Sequence, residues 1–70
     1  MRNVSIYDFL TEDQIAECER LYPDVKAINK QVIAPNIDEI NRKLGQENDP
    51  AFLAYAVHYV ISVAVAKAPN

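Results

Sequence analysis

The chain has 70 residues and a mass of 7.9 kDa, and half of its residues are apolar. Seven basic against ten acidic side chains leave a net charge of −3 and a pI near 4.9, which argues against nucleic-acid binding by bulk charge. One Cys and one His exclude a disulfide scaffold and a four-ligand zinc site.

A chain of this length builds one small domain, 1–70, with a thin core, so a partner or a second copy is expected to help it. An enzyme with its own cofactor pocket is not expected at this size; the reading is non-catalytic, with no cofactor and no metal. Residues 1–10 have no apolar run and carry Asp8, unlike a signal peptide. A free Cys without an export signal points to the cytoplasm.

The expected class is all-α, a bundle of three to four short helices ending in a long apolar helix or tail. Residues 1–48 would form a recognition part and 49–70 an apolar C-terminal segment. Ser5 and Asp8 have capping-box spacing around Ile6, Phe9 and Leu10. Thr11 and Gln14 form a second box, with Leu10 and Ile15 placed as a hydrophobic staple. Ile15, Cys18 and Tyr22 share one helix face up to Pro23. Val25, Ile28 and Val32 repeat that spacing until Pro35. Asn36 with Glu39 reads as a third box, Ile37, Ile40 and Leu44 as an amphipathic face, and Gly45 as the residue that ends it. Asp49 caps the last helix with Pro50 at its first position, and Lys67 suits its far end. The expected segments are 5–22, 24–34, 37–44 and 50–67.

The last segment is unusual. Residues 51–66 carry no charge, yet sixteen residues fall short of the roughly 20 of a membrane span, so a buried helix is expected. Leu53, Val57, Val60 and Ala64 form its expected core face. Phe52, Tyr55, Tyr59, Ile61, Val63 and Val65 make the other sides apolar too, so either the first three helices wrap it or a second molecule covers the rest. Its β-branched run lowers helix preference, so the tail can be helical in one setting and extended in another.

Chemistry-bearing residues are few. His58 forms a semi-polar strip with Tyr55, Tyr59 and Ser62. It reads either as a histidine at the core edge or as a contact facing a partner's active site. Cys18 sits between Glu17 and Glu19, which raise its pKa, and reads as structural. Asp8, Glu12, Asp13, Glu17, Glu19 and Asp24 against Arg20 form a solvated acidic face or a dock for a basic partner. No phosphate loop, paired-carboxylate motif or nucleophile–base spacing is visible.

Ile6-Tyr7-Asp8-Phe9-Leu10-Thr11 resembles the opening motif of the small all-helical subunit of protocatechuate-type extradiol dioxygenases. Residues 36–44 resemble its short Glu-rich helix, 45–49 its glycine–aspartate loop, and Ala56-Val57-His58-Tyr59-Val60-Ile61 its histidine-bearing helix. Pro35 stands where that pattern has glycine, and Gln46-Glu47-Asn48 lengthens the loop. The same domain is similar to the recognition domain of split borosin precursors, ribosomal peptides whose core is N-methylated on the backbone by a separate methyltransferase. Tyr59-Val60-Ile61-Ser62-Val63-Ala64-Val65 resembles such a core. The resemblance implies a substrate protein, with Ile61 and Val63, then Val60 and Val65, as modified positions. Phe9, Leu10, Tyr55, His58, Tyr59 and Ser62 would meet the partner. Amide methylation needs a free N–H, so the tail would have to leave the helix, while the first three helices anchor the enzyme.

Two alternatives stand beside it: a non-catalytic dioxygenase subunit, or a helical regulator from a mobile element that binds a host enzyme. For the last, Asn29-Lys30-Gln31-Val32-Ile33-Ala34 resembles the theta subunit of a replicative polymerase. All three imply a protein partner, a methyltransferase or larger subunit, or a homo-oligomer, with neither nucleic acid nor membrane involved.

Overall fold

A computed structural model describes residues 5–67. Residues 1–4 and 68–70 lie outside it, and with them the ends of the expected 1–70 domain and of its 49–70 segment. All regular structure among the described residues is helical. A 3-10 turn, Ile6–Asp8, precedes α1 (Glu12–Arg20). Next comes α2 (Val25–Ile28), which runs on as a π-helical turn, Asn29–Ile33, and a 3-10 turn, Ala34–Asn36. α3 (Ile37–Leu44) and α4 (Pro50–Lys67) follow.

The first expected segment, 5–22, is two pieces, because two caps stand in tandem. Ser5 Oγ accepts the Tyr7 N–H at 3.2 Å and Asp8 accepts the Ser5 N–H at 2.9 Å. Thr11 then starts afresh: its Oγ1 accepts the Gln14 N–H, while Gln14 Oε1 accepts the Thr11 N–H at 2.8 Å. Thr11 is extended at φ −75°, ψ 165°, so the chain cannot run through it as helix. Leu10 and Ile15, the staple pair, are both buried.

Pro35 does not end the second segment abruptly. The backbone stays right-handed through Ile33 and Ala34 and tightens into the 3-10 turn. The expected third capping box at Asn36 is absent. The Asn36 side chain accepts no cap hydrogen bond; its Nδ2 donates to the Val32 carbonyl at 2.7 Å. That bond gives the Val32 carbonyl a side-chain donor where the helix tightens.

Asp24 caps α2 by accepting from Lys26 and Ala27. Gly45 closes α3 at φ 73°, where its N–H and that of Gln46 both reach the Asn41 carbonyl. Asn41 Oδ1 accepts from both Asn48 nitrogens, backbone and side chain, and ties the loop back to α3. Asp49 Oδ1 accepts the Ala51 N–H and opens α4 at Pro50.

One apolar core joins every element except the 3-10 turn Ala34–Asn36. Ile28, Ile33, Ile40, Val57 and Cys18 are its most deeply enclosed side chains, and no polar or charged residue is buried among the described residues. α2 and the π turn lie along α4, with α1 beside them. α4 buries Leu53, Ala54, Val57 and Ile61. This corrects the expected core face, since Val60 and Ala64 are exposed. Each helical residue turns by about 100°, which places Ile61 between Val57 and Ala54 and swings Val60 onto the flank. It also corrects the expectation of a buried helix. Only those four of the eighteen residues in α4 are buried.

Candidate interaction surface

α4 has an inner side that completes the core and an outer side left largely uncovered by the described residues. Phe52, Tyr55 and Tyr59 lie on the outer side, 64, 67 and 69% exposed. Val60 and Val65 are exposed on its flanks, and so is Tyr7 on the first turn. Monomeric proteins seldom leave several large apolar side chains together on one element. No charged residue interrupts α4 before Lys67.

Two shallow apolar grooves flank Val60. One, of about 200 Å³, runs between Phe52, Ala56 and Val60 of α4 and Phe9 and Leu44. The other, of about 180 Å³, runs between Val60, Ala64 and Val65 and Tyr7, Ile15 and Glu19. Ile6 lies under both.

The expected strip of Tyr55, His58, Tyr59 and Ser62 is split. The two tyrosines point outward. His58 is half-buried and stacks on Tyr22, with ring centroids 5.6 Å apart and planes 12° apart. It is thus engaged with Tyr22 at the edge of the core. The Ser62 hydroxyl donates to the Tyr59 carbonyl at 2.9 Å, a bond internal to the helix. Phe9 and Leu10, expected to meet the partner, are instead core residues at 5 and 4% exposure, because the 3-10 turn folds them inward against the bundle.

The tail positions expected to be modified all lie in α4. Val60 and Val65 are exposed, Val63 is half-buried and Ile61 is buried. Their amides sit in helix, the conformation that withholds an N–H from chemistry. α4 is also, by length and composition alone, apolar enough to cross a membrane, where the sixteen uncharged residues had been expected to fall short.

Cys18 is fully enclosed. Burial, and then the charges of Glu17 and Glu19, push its thiol up to about 11. The acidic face is partly committed: Asp8 and Asp24 serve as caps. Glu17 receives two hydrogen bonds from the Arg20 guanidinium, which lower the carboxyl and raise the base from their ordinary values. No group of three metal-ligating side chains occurs among the described residues.

Sequence reasoning missed the Tyr22–His58 pair, whose members lie on the turn after α1 and on α4. It also missed Asn29, at the start of the π turn, whose Oδ1 is enclosed without a hydrogen-bond partner.

Compared with protein-family models, curated proteins and solved structures, the chain has no match in any of the three.

Proposed function

We propose that this is a non-catalytic, partner-binding helical protein, cytoplasmic, whose binding surface is the outer side of α4. The observation that carries this reading is the row Phe52, Tyr55 and Tyr59, each about two-thirds exposed on a helix whose opposite side holds the core. Large aromatics desolvated together are the usual energetic centre of a protein interface. α1 to α3 then serve as the frame that holds α4 with its outer side free.

The test is photo-crosslinking in the native cell. A benzophenone amino acid at position 55 or 59 should give an adduct with a protein, and one at position 47, in the loop before α4, should not. Equal or absent adducts at all three positions would remove α4 from the role.

The geometry also favours a second reading, a backbone-methylated precursor. Beyond Val57, Ile61 is the only buried side chain of α4. Peeling the last three turns away would therefore expose little core, and their β-branched residues would lose little helix preference. Under this reading a methyltransferase takes residues 59–66 extended, and Val60, Ile61, Val63 and Val65 are the amides it reaches. Fragmentation mass spectrometry of the native protein checks it: backbone methyl groups within 59–66 are expected, and an unmodified tail contradicts it.

A further inference from the structure

We infer that the occupant of the outer side of α4 is a second copy of this chain, packed as an antiparallel pair of α4 helices with Tyr59 on the two-fold axis. This rests on the reading of that side as the binding surface, and adds the partner and its register.

Phe52, Tyr59 and Ala66 are seven residues apart, so they fall within about 20° per heptad of a single line along the helix. That line is the centre of the exposed side. Tyr55 and Ser62 border it on one hand, Ala56 and Val63 on the other. Turning one copy about an axis through Tyr59 pairs each residue with one of unlike size. Residues on the same hand meet, so Phe52 meets the partner's Ala66, Tyr55 meets the partner's Ser62, and Ala56 meets the partner's Val63. The tyrosine on the axis meets its own counterpart, where two rings can stack offset. A two-fold interface must be self-complementary in this way.

The charges agree with this register. Lys67 is the sole formal charge of α4, and an antiparallel partner brings its Asp49 to that end. The helix dipoles also oppose, positive end beside negative end. A parallel pair would place Lys67 beside Lys67. A lipid surface fits less well. The outer side has no basic residue before Lys67, and the chain is acidic overall, so an anionic membrane would repel it.

The area suffices for a modest dimer. Three aromatics about two-thirds exposed present roughly 300–500 Å² per copy, taking about 150–250 Å² for each whole side chain. With the small residues between them the pair buries on the order of 1,000 Å² in total, the lower bound for a specific interface. The dimer should therefore form and dissociate with concentration.

Sedimentation of the full chain over a dilution series, joined to cysteine trapping, tests this. The expected result is a mass that rises from one copy to two. Tyr59→Asp should hold the mass at one copy with unchanged helical circular dichroism. Tyr59→Cys should link to itself on mild oxidation, and Phe52→Cys should link to Ala66→Cys when the two are mixed, each at least tenfold faster than Glu47→Cys with itself. Cys18 is enclosed and does not compete. The trapping needs no disruptive charge, so it stands even if Tyr59→Asp fails to fold. A chain that stays monomeric at every concentration overturns the inference, as does a monomer that floats with phosphatidylcholine–phosphatidylglycerol vesicles. A dimer that links Phe52→Cys to itself faster than to Ala66→Cys overturns the antiparallel register. If the chain is monomeric and crosslinkers at 55 and 59 still capture another protein in cells, the self-pairing falls and the binding surface remains. If they capture nothing, both fall.

Discussion

α1 to α3 and α4 solve different problems with different sequences. In the first 44 residues each helix is short, capped, and apolar on one side only. Ile15 and Cys18, Ile28, and Ile40 point inward while acids and bases stay out. α4 is twice the length of α1, and its sequence does not distinguish an inner from an outer side. The fold assigns those sides: Leu53, Ala54, Val57 and Ile61 go inward because α2 and the π turn cover that side. The difference separates apolar residues that fill the core from apolar residues that the core leaves exposed, which the proposed function assigns to contact. On α4 both kinds occur within a single turn.

The sharpest way to test that separation is to truncate one residue of each kind. Ile33→Ala, at a fully enclosed site, should cost about 2–5 kcal/mol in urea unfolding. Tyr55→Ala, on the outer side of α4, should change the dilute monomer by no more than about 0.5 kcal/mol. Similar costs at both sites would mean that the outer side takes part in folding.

Cys18 probes the core through pH. Its folded thiol lies near 11, above the ordinary value near 9 that it regains on unfolding. The unfolded chain therefore loses its proton first. The stability this group contributes is complete below pH 9 and falls away between pH 9 and 11, a loss on the order of 2–3 kcal/mol. Cys18→Ala should flatten that part of the stability–pH curve. A thiol reagent at pH 8 should label the native chain only at the rate of its unfolding.

Smaller effects belong to the punctuation of the first region. Thr11→Ala removes the side-chain acceptor for Gln14 and should cost about 1 kcal/mol. Gly45→Ala should cost a similar amount, about 1–2 kcal/mol, for strain alone, because a Cβ there meets nothing within 4 Å at φ 73°. Thermal melts resolve both, since about 1 kcal/mol moves the midpoint by about 4–8 °C in a domain this small.

This contrast also explains what the residues disclosed beforehand. Ser5 with Asp8, Thr11 with Gln14, Asp49 with Pro50, and Gly45 are local signals, and each acts where its spacing placed it. Asn36 has the same spacing to Glu39 as a real cap, but the chain enters it from a helix rather than from an extended segment, so its amide turns back to Val32. The π turn has no local signature. The choice of Ile61 over Val60 was hidden because α4 lacks a polar side to set the phase. The contact role of Phe9 and Leu10 rested on the family resemblance alone, and the 3-10 turn ahead of Thr11 packs both into the core. The Tyr22–His58 stack depends on where α1 ends relative to α4, which no spacing encodes.

The most direct measurement is hydroxyl-radical footprinting of the tyrosines, in dilute purified protein and in the native cell. Tyr55 and Tyr59 should react readily in the dilute chain and be protected several-fold in the cell, while half-buried Tyr22 should react alike in both. Equal reactivity of Tyr55 and Tyr59 in both settings would show that the outer side of α4 stays bare where the protein works, and would contradict its role as a binding surface.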